Sequence, residues 1–148
     1  MNQTVEEKQI YGEMVKAASP PSTTLLNCVK AFLVGGTICA IGQVIHNMLS
    51  ATGFGRDDAG LITAVILIIA SILLTSLGIY GKLGAFAGAG SVVPITGFAN
   101  SIAAPAIEHK KEGLVMGVGA KMFIIAGPVL VYGTMTSVIV GLIYYFTK

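Results

Sequence analysis

At 148 residues the chain has the length of one domain. Hydrophobic residues make up 54% and charged residues 11%, with a mean hydropathy of +0.82, which leaves too little polar surface for a soluble globule. A formal net charge of +2 is too small to imply a nucleic-acid partner.

The apolar residues fall in runs of about 20, the length that crosses about 30 Å of hydrocarbon. The fold class is therefore all-α integral membrane. It has three to four transmembrane helices and a broken, Gly/Pro-interrupted element at about 84–107, which either re-enters or crosses. Residues 1–24 form a cytosolic amphipathic segment, and residues 25–148 the membrane helical domain. The nineteen glycines point to closely packed helices.

Thr4-Val5-Glu6-Glu7 fits a capping box at a helix start. Ile10, Tyr11, Met14, Val15 and Ala18 then share one face, and Ser19-Pro20-Pro21 ends the helix. With more acids than lysines this is not a basic lipid binder, so it packs on a partner or on the chain itself.

The first span, Ala31–Ala51, carries Gly36, Ala40, Gln43, Asn47 and Ser50 at steps of three or four, with His46 beside them. Such a stripe either glues helices together through hydrogen bonds or lines a solute path. His46 is expected at the interface. Cys28 and Cys39 are separated by about 16 Å of helical rise, too far for a disulfide, and read as packing residues. No metal-ligand spacing surrounds them, and no cofactor motif is visible.

Thr52–Gly60 reads as a loop holding the Arg56-Asp57-Asp58 cluster. The second span, Leu61–Tyr80, is the most uniformly apolar. Its Ser71, Thr75 and Ser76 are expected to bond back to their own helix, leaving a lipid-facing structural span. Tyr80, Tyr132, Tyr144 and Tyr145 serve as interfacial anchors in a chain without tryptophan.

Gly84–Ser101 follows, GAFAGAGSVVPITGFANS. Gly84, Gly88, Gly90 and Gly97 each cost about 1 kcal/mol against Ala in a helix, and Pro94 lacks the N–H that continues one. Two helical pieces separated by irregular backbone near Gly88–Pro94 are predicted. Such a break persists in hydrocarbon only where protein or a wet cavity surrounds it, as in transporter solute sites. Gly88, Gly90, Pro94, Thr96 and Asn100 are therefore candidates for a solute path, together with Gln43 and Asn47. Close helix packing alone is the competing account of the glycines.

Glu108–Glu112 is a charged loop. The last span, Met122–Phe146, contains Pro128, where a kink is predicted, and Gly113–Lys121 extends it to about 51 Å. Lys121 either snorkels to the interface or places a positive charge at an anion vestibule. A re-entrant 84–107 puts Lys8, Lys16, Lys30, Lys82, Lys110 and Lys111 on one side against Arg56 and Lys148. That bias places the N-terminus in the cytoplasm, and full crossing would weaken it.

Three stretches, AFLVGGTICAIGQ (31–43), GKLGAFAGAGSVVPITGFANSI (81–102) and EGLVMGVGAKMF (112–123), closely resemble the family of stage V sporulation membrane proteins that comprises the AC and AE (b form) subunits of spore-forming Firmicutes. The resemblance runs from about residue 30 to the C-terminus. It implies a multi-pass protein of the forespore and spore inner membrane, and a channel-like activity, with tension gating among its properties. The solute it implies is dipicolinic acid with calcium, taken up in sporulation and released in germination. The partners implied are the related AE (b form) subunit and the other stage V A proteins, within the lipid bilayer. The family supplies no agreed site residues. The competing class is a structural subunit that anchors a soluble partner while another subunit conducts. An enzyme is not expected, because no nucleophile–base pair or paired intramembrane carboxylates are present.

Overall fold

The computed structural model describes residues 5–18 and 23–147, and the regular elements among them are all helical. They are α1 (Val5–Ala18), α2 (Thr24–Ala51), α3 (Arg56–Ser76), α4 (Ile79–Ala87), α5 (Ala89–Val92), α6 (Ile95–Glu108) and α7 (Ala120–Thr147). A 3₁₀ turn at Lys110–Glu112 and a π-helical turn at Leu114–Gly119 join α6 to α7. Thr4 of the expected capping box and the Ser19-Pro20-Pro21 stop lie outside the described residues. Ile10, Tyr11 and Met14 of α1 are exposed.

Among the described residues, three helical stretches are long and apolar enough to cross a membrane: Thr24–Ala51, Arg56–Ser76 and Leu114–Thr147. Arg56, Asp57 and Asp58 belong to the first turn of α3 and not to a loop. Two carboxylates there face the positive end of the helix dipole, which favours starting the helix at that point. α3 stops at Ser76, short of the predicted Tyr80, because Gly78 takes φ +70 and its N–H closes onto the Thr75 carbonyl at 2.9 Å. The third span, 34 residues long, is about 51 Å at helical rise and continues through Pro128.

The broken element has three helical pieces where two were predicted. α4 runs unbroken through Gly84 to Ala87, the chain turns at Gly88 (φ +53), and α5 makes a single turn. A second break comes at Val93–Pro94, where Pro94 is extended (ψ 161) and caps α6. Pro94 has no N–H to continue α5, and its fixed φ suits the position just before a helix.

Register fixes how these pieces sit. Gly42 of α2 faces Leu67 of α3 across the short 52–55 turn, so α2 and α3 are antiparallel. Ser71 of α3 bonds to Thr96 of α6 and Thr75 to Asn100, both with a separation of 25 residues. A constant offset means that α3 and α6 run parallel. Glu108 at the end of α6 therefore lies at the same end of the bundle as Ser76. The 79–108 element enters and leaves from one side, which is the re-entrant arrangement. α6 packs most extensively on α3, then on α7, while α5 lies on α2. α3 thus has one face, with Ala59, Thr63 and Ser71, packed against its neighbours, while Leu61, Val65, Ile69 and Leu73 stay exposed. The expected lipid-facing span is met on one side, and the expectation that its hydroxyls only bond back to their own helix is not, since Ser71 reaches α6.

This topology predicts opposite accessibility for the two ends of α3. Single cysteines at Arg56 and Lys111, in a background lacking Cys28 and Cys39, should react with a membrane-impermeant thiol reagent from opposite faces. Labelling of both from one face would contradict the parallel packing of α3 and α6.

Candidate functional site

At Val93–Pro94 the turn carries Ile95 away from the Ser91 carbonyl it would bond in a continuous helix. A carbonyl left unpaired in hydrocarbon costs several kcal/mol. Tyr80 supplies the replacement: it is 3% exposed, and its hydroxyl donates to Ser91 O at 2.8 Å. Thr96 Oγ1 stands 2.9 Å from the same phenol oxygen. The phenol has one proton and the carbonyl can only accept, so Thr96 is the donor in that pair. Ser71, fully buried, donates to the Thr96 carbonyl at 2.6 Å.

One turn further on, Thr75 donates to Ser71 O at 2.7 Å and lies 2.9 Å from the Asn100 amide. A single hydroxyl proton cannot fully serve two acceptors. The pair is satisfied when the amide turns its NH₂ towards Thr75. Hydroxyls on α3 and α4 thus bind both sides of the break.

The other side of the break is a backbone contact. A Cβ on Gly90 would overlap the Ala31 carbonyl, and one on Gly35 would come within 3.1 Å of Gly90 O. α2 and α5 cross here with no side chain between them. Gly97 has the same character within the element, since its Cβ would strike the Ser91 and Val92 carbonyls. Gly88 differs. Nothing lies within 4 Å of a Cβ there, and only its positive φ favours glycine.

Two hollows flank the α2–α5 crossing, each of about 360 Å³. One opens between the start of α2 (Thr24, Asn27, Cys28) and Phe86–Gly88. The other, almost wholly apolar, runs along Phe32, Gly36 and Cys39 past Gly90 and Pro94. Ala31 and Ala89 line both.

The predicted site residues separate into groups. Thr96 and Asn100 are joined to α3, while Gly88, Gly90 and Pro94 border the hollows. Gln43 and Asn47 lie further along α2, both exposed, with Gln43 Nε2 donating to Asn47 Oδ1 at 2.8 Å. They are not brought to the break, and they face away from the rest of the chain. His46, expected at the interface, is half-buried, and its Nδ1 has no hydrogen-bond partner among the described residues. Cys28 and Cys39 are free and exposed and are not packed inside the bundle.

Lys121 is half-buried at the start of α7, and its charge acts on Glu112. That carboxyl is held below its ordinary range first by its hydrogen bond with His109, 3.0 Å away, against desolvation, and then by the charges of His109 and Lys121. Gly117 lets this loop close, because a Cβ there would meet His109 O at 2.6 Å. Lys121 therefore belongs to the loop at the end of the bundle and not to the break.

Sequence reasoning missed Ser71, Thr75, Tyr80 and Ser91. A signal existed: Thr63, Ser71 and Thr75 recur on one face of an apolar span, and Thr96 and Asn100 repeat the four-residue step. The role of Tyr80, read as an interfacial anchor, had no such signal. Among the described residues no three His, Cys, Asp or Glu side chains cluster to hold a metal.

Residues 27–143 match the family described as SpoVAC/SpoVAEB sporulation membrane protein. The chain belongs to that family. It is also 52% identical over 139 residues to the stage V sporulation protein AC of Bacillus subtilis (strain 168), covering 93% of each chain. No solved structure matches it. A multi-pass membrane protein with a role in sporulation follows, in a family described by its membrane character and by no enzymatic activity.

Two substitutions separate the hydroxyl clasp from the backbone contact. Tyr80→Phe leaves a buried carbonyl unpaired and should cost about 1–2 kcal/mol, read as a fall of several degrees in Tm in detergent. Gly90→Ala should lower Tm further, because α2 must move off α5. Gly84→Ala, whose Cβ would sit 3.8 Å from Ser91 Oγ, should leave Tm unchanged. A Tyr80→Phe protein as stable as the parent would show that the clasp is not needed.

Proposed function

We propose that this chain is a channel subunit that moves dipicolinic acid, with calcium, across the inner membrane of the forespore and spore. The observation that supports the reading is the doubly broken, re-entrant element with hollows on both sides of its crossing with α2. From the first hollow, Thr24, Asn27 and Gly88 lead to Ala31 and Ala89, and thence along Gly36 and Cys39 past Gly90 and Pro94. Gln43 and Asn47 continue along the same helix. One chain offers only an open half of this track, so a second copy or the related AE (b form) subunit closes it, with other stage V A proteins as further partners.

The solute is an aromatic dicarboxylate, which calls for donors and positive ends and not for a catalytic base. Pro94 leaves the first turn of α6 with its N–H groups and positive dipole end at the break. Thr96 and Asn100 hold that end in place through α3, while Gly88, Gly90, Gln43 and Asn47 border the path and Lys121 adds charge at the loop end. Tension gating would act where α2 and α5 meet backbone to backbone, since spreading the bilayer pulls on that contact.

The scaffold reading is favoured by one observation, the exposed Ile10, Tyr11 and Met14 of α1, a cytosolic surface suited to a soluble partner. Dipicolinate efflux from liposomes decides between the two. Vesicles carrying the chain, with and without the related subunit, should release dipicolinate. Gln43→Leu with Asn47→Leu should cut that release at least tenfold at unchanged protein level. Undiminished release by the double variant would favour the scaffold and remove these residues from the path.

A further inference from the structure

Lys30 entered the sequence reading only as a topological charge, yet its position in the fold is unusual. It is half-buried within the first spanning helix, with Nζ 5.0 Å from the centre of the Phe86 ring. No Asp or Glu lies within salt-bridge distance of it among the described residues. A lysine in an apolar span is costly unless it faces water, an acid or a ligand. The ring face attracts its charge but offers none of its three N–H donors a lone pair in hydrogen-bond geometry.

Phe86 also forms one wall of the hollow of about 360 Å³ at the mouth of the α2–α5 crossing. Thr24 and Asn27, one turn apart on α2, line the same hollow, and Lys30, three residues after Asn27, stands outside that lining and reaches its edge through Phe86. Gly88, at the first break, also lines it. The volume is within the range of about 300–1,000 Å³ typical of small-molecule sites. An unpaired ammonium, two neutral hydrogen-bonding side chains and an aromatic wall fit an aromatic oxyanion.

We propose that this hollow is the entry site for a planar aromatic carboxylate, with Lys30 as its counter-ion and Asn27 and Thr24 as orienting groups. The assignment rests on the channel reading and names the side chains that would receive the solute. Phe86 keeps the ammonium beside the mouth while the site is empty. The carboxylate takes over the free donors on arrival. Lys121, remote from the break, is not needed for this step. The same oxyanion chemistry is offered by an anionic lipid headgroup, so the test must separate the two sources.

The full chain in nanodiscs of neutral phosphatidylcholine would be titrated calorimetrically with pyridine-2,6-dicarboxylate. Lys30→Gln should weaken binding at least tenfold, Lys30→Arg should restore most of it, and Asn27→Leu should weaken it severalfold. Lys111→Gln, in the exposed loop, should have no effect. Matching Tm values for the variants establish that they are folded, and the Arg variant keeps the test valid if Gln perturbs packing. Equal affinity of the parent and Lys30→Gln would overturn the Lys30 site and leave the channel reading standing. No binding by the parent would overturn both. Repetition with phosphatidylglycerol identifies the occupant. If anionic lipid abolishes solute binding to the parent and to Lys30→Arg alike, the site belongs to a headgroup and the solute assignment fails.

Discussion

A helix interrupted inside a membrane releases backbone groups that lipid cannot pair, and the architecture of this protein follows from how those groups are satisfied. Pro94 ends α5 and turns the chain, and the Ser91 carbonyl it strands is taken by the Tyr80 hydroxyl. Thr96 completes that contact from the far side of the turn, and Ser71 secures the Thr96 carbonyl to α3. Three side-chain hydroxyls therefore do what water does for a loop in a soluble protein. The requirement also explains why so apolar a span as α3 keeps serines and threonines on one face, and why that face is buried.

The second side of the break is governed by distance and not by hydrogen bonding. Gly35 and Gly90 remove the side chains that would hold α2 and α5 apart, and their backbones meet. Without a hydrophobic driving force between helices in lipid, such close approach is a main source of attraction. The element is consequently held by polar bonds to α3 and by packing to α2. The polar side is short-range and directional. The packed side has no directional bonds to break, so it is the side where a small movement of α2 would widen the flanking hollows.

This division bears on what the family relationship means for the molecule. The family match, residues 27–143, takes in most of the three spans and the glycine-rich centre between them. The α2 surface that continues from the hollows is open, with Gln43 and Asn47 bonded, among the described residues, to one another. Amide groups exposed in a span are poorly matched to lipid, and assembly with another subunit would cover them.

The class of the protein was legible in composition, because runs of about 20 apolar residues have few alternatives to spanning a bilayer. The presence of a break was legible too, since Gly and Pro act on the backbone locally whatever surrounds them. Its form was not. Gly84 stayed helical and Gly88 did not, although propensity treats them alike; the difference arises because α5 must turn to reach Ala31 on α2. Tyr80 read as an interfacial anchor and Ser71 as a self-bonding hydroxyl, and both proved to be partners of residues 11 to 25 positions away. Cys28 and Cys39 read as packing residues and are exposed. What the sequence determined by itself was where the chain is apolar and where it cannot remain a helix, since both are properties of neighbouring residues. Which hydroxyl meets which carbonyl, and which face of α2 is covered, depended on helix register and crossing, and those exist only once α3, α5 and α6 have packed together.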